Sequence, residues 1–126
     1  MTAGDETRIV LRRPGGSWRQ PDVSSYTNEK GLQQILLETP TLVPGVGPAA
    51  AVEEMTFPNG GTVDIAIVEP SGAITLIECK LAKNAELKRA VVGQIMSYAA
   101  AAWRAIYEEF DQWFSQRLGS PLAAAV

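Results

Sequence analysis

The chain has 126 residues, 46% of them apolar and 20% charged, with a net charge of −3. That composition suits one soluble globular domain with a modest core, and the mild acidity means that contact with a polyanion needs a local basic patch. The lack of histidine excludes Ser-His and Cys-His catalysis and His-ligated zinc, and a single cysteine excludes an internal disulfide or a Cys-cluster metal site.

Residues 1–6, MTAGDE, are acidic and polar, unlike a secretory signal. No apolar run is long enough to span a bilayer, so a cytoplasmic protein without a membrane partner is expected. Residues 8–13, RIVLRR, read as a short strand, residues 14–17 as a turn, and residues 18–23 as its returning partner. This N-terminal hairpin arm, residues 1–23, carries Arg8, Arg12, Arg13 and Arg19. It is either a phosphate-contacting arm or an edge hairpin protected by charge, and sequence alone favours the second.

Residues 27–38 read as a helix capped by Thr27 or Ser25 and ended by Pro40, with Leu32, Ile35 and Leu36 as its buried stripe. Glu29 lies at the margin of that stripe, where it could also simply answer the helix dipole. Gly31, unfavourable within a helix, suggests close approach to a sheet. After a Pro/Gly loop at 41–48, residues 51–57 form the first core strand, and Pro58-Asn59-Gly60-Gly61 turns it into the next.

Residues 62–68 alternate like a half-buried strand, with Val63, Ile65 and Ile67 on one face; residues 73–80 form a second strand. The intervening Glu69-Pro70-Ser71-Gly72 suits a three-residue hairpin loop with Gly in the left-handed position. Counting back from Glu69 paired with Ala73 sets Asp64 opposite Glu78, about 5 Å apart at Cβ, with Lys80 on the same face. Two facing carboxylates repel unless a divalent cation lies between them, and oxygen-only ligands suit Mg²⁺ or Mn²⁺. Lys80 can then orient a water or stabilise developing negative charge; the alternative is a surface Glu78–Lys80 pair. Cys79 points to the opposite, core-like face as a packed thiol.

A helix is expected from residue 85 to residue 110 or beyond, with Leu87, Val91, Gln94 and Tyr98 on one seam. Gln94, polar on an inward face, needs a hydrogen-bond partner, either backbone or a group in the site. Tyr98 is a packed aromatic whose hydroxyl supports the site. Lys83, Lys88 and Arg89 flank the same mouth as candidate phosphate contacts or as a solvated helix face. Trp103, Phe110, Trp113 and Phe114 exceed what one continuing helix can bury, which suggests a contact with a second chain. Residues 122–126 are too short and Ala-rich for a confident strand.

Asp64, Glu78-Cys79-Lys80, Gln94 and Tyr98, together with Asn28-Glu29 ahead of Leu32-Gln33 and Gly60-Gly61 ahead of Val63-Asp64, resemble the PD-(D/E)xK nuclease superfamily, in a branch with a QxxxY motif. The resemblance covers residues 26–103; Val63 stands where the family name has Pro. It implies an α/β restriction-endonuclease-like core of a helix, a three-stranded mixed or antiparallel sheet and a long helix, within one domain spanning residues 1–126. The fourth core strand of that fold is missing or vestigial here, and residues 104–126 form a C-terminal helix. The resemblance further implies a Mg²⁺- or Mn²⁺-dependent endonuclease acting on DNA, or RNA by the same chemistry. Asp64, Glu78, the Cys79 carbonyl and Glu29 would hold metal, and Lys80 and Gln94 would act with them. A homodimer or larger assembly through the C-terminal helix is expected. The alternative is a non-catalytic nucleic-acid-binding or assembly domain of the same fold.

Overall fold

The computed structural model describes residues 8–22, 28–80 and 85–126, the side chains of 85–88 excepted. Three strands, β1 (Ala50–Phe57), β2 (Gly61–Val68) and β3 (Ile74–Ile77), form one sheet in the order β1-β2-β3. Both pairings are antiparallel. The fold is therefore α/β with an open antiparallel sheet. Helix α1 (Glu29–Glu38) contributes to one side, and α2 (Ala85–Arg104), α3 (Tyr107–Leu118) and the short α4 (Leu122–Ala125) complete the described chain.

Asn28, not Thr27 or Ser25, caps α1: its backbone is extended and its Oδ1 accepts from Gly31 N–H at 2.8 Å. Ser25 and Thr27 lie outside the described residues. Gly31 is exposed, and a Cβ there would meet only Asn28 Oδ1 at 3.4 Å, so it does not serve close approach to the sheet. Leu32, Leu36 and Leu37 pack against Ile65, Ile67 and Cys79. Ile35, expected in that stripe, is 42% exposed, while Gln33 is buried at 5%. The Gln33 amide donates to Glu53 Oε2 at 3.4 Å, which compensates its burial.

Val63 departs from the expected alternation. Ile65 and Ile67 face the α1 cluster, but Val63 lies in the other cluster with Ala66 and Val68. The matching slip on β1 carries Val52, Met55 and Phe57 into that same cluster. Between them stands Glu54, with φ 52°, where the ladder skips from Glu53–Ile65 to Met55–Val63. A left-handed residue inside a strand rotates the residues beyond it, so alternation resumes with its phase changed.

The turn into β2 explains both of its glycines. Gly61 has φ 90°, and a Cβ on Gly60 would fall 2.9 Å from Phe57 Cβ and 3.1 Å from Ala101 Cβ of α2.

The long C-terminal helix is broken. Residues 105–106 leave the helix, Ile106 is extended, and the Glu109 carboxylate accepts from Ile106 N–H at 3.3 Å to start α3. The break lets α3 return along β1, where Phe110 and Phe114 are buried. A straight helix, rising 1.5 Å per residue, would carry these rings past a sheet of this size. Burying each large apolar side chain is worth about 2 to 3 kcal/mol, enough to favour the turn. Trp113 meets Phe57 edge-on at 5.5 Å. The surplus of C-terminal aromatics is thus absorbed within the chain, with Trp103 of α2, 91% exposed, left outside. Residues 122–125 are helical, and Leu122 is pinned by its N–H to Asp111 Oδ1 at 2.8 Å. No fourth strand joins the sheet among the described residues.

The N-terminal arm is not a pair of strands. Two hydrogen bonds of 2.8 and 2.9 Å join Leu11 and Arg19 as a single bridge around the turn at Pro14-Gly15. No helix of the described residues is long and apolar enough to cross a membrane.

Candidate active site

The β2–β3 hairpin closes as its sequence dictates. Glu69 N–H donates to Ala73 O at 3.0 Å, Gly72 N–H donates to Glu69 O at 2.8 Å, and Gly72 has φ 87°. The loop is therefore Pro70-Ser71-Gly72, and the register runs Val68–Ile74 to Ile65–Ile77. The register stops one step short of Asp64 and Glu78, which remain neighbours: the Asp64 N–H donates to the Glu78 carboxylate and the Asp64 charge acts on it.

At that step the ladder stops, and β3 is shorter than expected. In an antiparallel pair the hydrogen-bonded positions alternate, so after Glu69–Ala73 the series leads through Ile65–Ile77 to Val63–Cys79. Cys79 N–H instead donates to Asp64 Oδ2 at 2.8 Å. A carboxylate takes the place of a strand carbonyl, and the strands part there. Cys79 Sγ packs with Ile65 and Ile67, and burial, followed by the Asp64 and Glu78 charges, pushes the thiol up to about 11.

Glu78 is the most constrained group of the site. Its side chain is only 4% exposed, and Oε2 is buried without a hydrogen-bond partner. Burial, then the Asp64 charge, pushes its carboxyl above the usual range; Asp64 N–H and Lys80 oppose this only in part. Lys80 Nζ lies 3.6 Å from Glu78 Oε1 and 4.0 Å from Glu29 Oε2. Asp64, Glu78, Lys80 and Glu29 are thus brought together from β2, the end of β3 and the first turn of α1.

Helix α2 supplies the back of the site. Tyr98 is buried, and its hydroxyl donates to Thr62 O at 2.8 Å, anchoring β2 two residues before Asp64. Desolvation, then the nearby Glu78 and Asp64 charges, raises its phenol above the ordinary value. Gln94, one turn earlier, has a buried Oε1 with no partner. Arg89 is exposed on the same helix, while Lys83 and the Lys88 side chain lie outside the described residues. Sequence reasoning named Gln33 only as a motif letter. Gln33 lies four residues before Leu37, which packs in the α1 cluster, a spacing that was available in the sequence.

Among the described residues, no three His, Cys, Asp or Glu side chains converge as a ready metal cluster. Two carboxylates do converge, one of them with a buried bare oxygen. An octahedral Mg²⁺ commonly takes one or two carboxylates and fills its remaining positions with water and substrate oxygens, so the donor set fits. No family model, curated protein or solved structure matches this chain.

Proposed function

We propose that this domain is a metal-dependent nuclease of the PD-(D/E)xK type that hydrolyses phosphodiester bonds in DNA. The observation that carries the proposal is Glu78: a nearly buried carboxylate with a partnerless oxygen, facing Asp64. Folding does not hold such a group charged without return, and a divalent cation offsets both its desolvation and its repulsion.

Asp64, Glu78 and the Cys79 carbonyl would hold Mg²⁺ or Mn²⁺, with Glu29 at the rim. Such an ion would supply Lewis acidity toward the phosphodiester and offset its charge. Lys80 orients the attacking water and stabilises the negative charge that grows on the phosphoryl oxygens as the new P–O bond forms and the ester P–O bond breaks. Gln94 holds a water or carboxylate from behind, and Tyr98 fixes the strand that carries Asp64. Lys83, Lys88 and Arg89 contact flanking phosphates.

Calorimetric Mn²⁺ titration beside cleavage of circular DNA tests these roles. Wild-type protein is expected to bind Mn²⁺ and nick the circle. Lys80→Ala should keep the metal and lose cleavage by more than a hundredfold; Asp64→Ala should lose both. A wild-type protein that neither binds Mn²⁺ nor cuts DNA or RNA would sink the assignment. Among the described residues no three acidic side chains form a ready metal cluster, which favours one competing reading, a non-catalytic nucleic-acid-binding or assembly domain, and that domain would take its place.

A two-fold assembly is also proposed, but not through α3, whose aromatics are used internally. It would use the outer edge of β3 and the groove of about 550 Å³ beside it, lined by Ile74, Leu76, Ile95, Ala99 and Trp103.

A further inference from the structure

The N-terminal arm is unusual for a chain of net charge −3. Between residues 8 and 21 it holds four arginines and no acidic residue, with Asp5, Glu6 and Asp22 flanking that stretch. Every residue from 8 to 20 is exposed, and none belongs to either core cluster. One explanation for such charge is protection of a sheet edge. It does not hold for the described residues, where the arm joins no sheet and makes one isolated bridge, Leu11–Arg19. Among the described residues none of the four guanidinium groups forms an ion pair.

The arm also carries an aromatic ring out of the core. Trp18 is 64% exposed, and the Arg12 guanidinium lies over it, 5.1 Å from the ring centroid. The tight turn at Pro14–Gly16, closed by Gly16 N–H to Arg13 O at 2.9 Å, brings Arg12 and Arg13 alongside Trp18 and Arg19. Arg13 and Arg19 line a shallow hollow with Gly16 and Ser17. A cation stacked on an exposed indole, flanked by further guanidinium groups, combines two elements of single-strand recognition: a platform for a base and fixed charges for the backbone. A duplex offers no unstacked base to the ring.

We infer that the arm from Arg8 to Arg19 is a binding site for single-stranded nucleic acid, with Trp18 stacking on a base and Arg12, Arg13 and Arg19 contacting phosphates. This rests in part on the nuclease assignment, since it names what the domain grips, but it needs neither metal nor cleavage.

The test is fluorescence anisotropy of labelled oligodeoxythymidylate, titrated with the full chain in EDTA over a series of salt concentrations. Wild-type protein should bind, with affinity falling steeply as salt rises. The triple change Arg12→Ala, Arg13→Ala, Arg19→Ala should flatten the log–log salt slope by roughly two units, about 0.7 for each lost phosphate contact. Trp18→Ala should weaken binding roughly tenfold with the slope nearly unchanged. All of these positions are exposed, and circular dichroism should show the fold intact. Three results would overturn the inference: no binding at low salt, variants that bind like wild type, or heparin, which has no bases, competing with equal strength in wild type and Trp18→Ala. Because EDTA stops any metal-dependent cleavage, loss of the arm and loss of the nuclease assignment read out separately. Metal-dependent nicking that survives in the arm variants, with no oligonucleotide binding by the wild type, would discard the arm alone.

Discussion

Glu78 carries a stability cost that can be measured. Its ordinary value is 4.5 and its folded value is higher, because burial and Asp64 oppose ionisation. The folded chain therefore binds this proton more tightly than the unfolded chain. The contribution to stability is fully present below pH 4.5 and is lost as pH rises through the folded value. Without divalent cation, Glu78→Gln should be more stable than wild type at neutral pH by about 1 kcal/mol, the scale of one unsatisfied buried group. The gain should vanish in acid; thermal melts at both pH values check this, and a Gln variant that melts lower at neutral pH would contradict it. Adding Mn²⁺ should raise the wild-type melting temperature and leave Glu78→Gln nearly unmoved. The nearness of Asp64, Glu78 and Lys80 was legible in the sequence because a three-residue loop fixes the register as far as Ile65–Ile77, one step before Asp64 and Glu78. The Asp64–Cys79 amide bond was not, because it arises where the ladder fails.

At the scale of elements, Gly60 and Tyr98 tie the β1–β2 turn to α2. Gly60→Ala should cost about 1 to 3 kcal/mol, since the added methyl meets Phe57 and Ala101 at sub-contact distances. Tyr98→Phe should cost about 1 kcal/mol through the lost bond to Thr62 O. Urea unfolding of both variants decides; a neutral Gly60→Ala would mean that the turn and helix yield easily. The central strands, α1 and the start of α2 were readable from apolar period and turn residues. The break at 105–106 was not, because its residues are ordinary helix formers locally and the driving force is distant burial of Phe110 and Phe114 against β1. Glu108 and Glu109 in the first turn of α3 were the available sign. The phase slip at Glu54 was hidden for a similar reason: nothing in Glu predicts a left-handed backbone.

At the scale of the molecule, the sheet has two unlike edges. β1 is covered by α3, and Arg117 Nε donates to Glu53 O at 2.9 Å. Outside β3, the alternation that binds Glu69, Ile67 and Ile65 leaves the Ile74 and Leu76 backbone groups facing outward, beside an uncharged groove and Trp103. Light scattering should give a mass of twice 13.5 kDa at high concentration, reverting to one chain in Ile74→Lys or Trp103→Lys. Both positions are exposed enough to accept lysine in a folded monomer. A wild-type chain that stays monomeric at high concentration would remove the assembly.

The bond from Cys79 N–H to Asp64 Oδ2 also gives the site a built-in reporter. Most amide protons in a sheet are shielded by another amide, and their hydrogen–deuterium exchange responds to opening of the backbone. The Cys79 proton is shielded by a side chain that is also asked to hold a cation. Its exchange rate should therefore respond to Asp64→Asn and to Mg²⁺ while the amides of Ile65 and Ile67 stay constant. A single nitrogen-15 resonance could then track site occupancy in a protein whose helices and strands give no other sign of it.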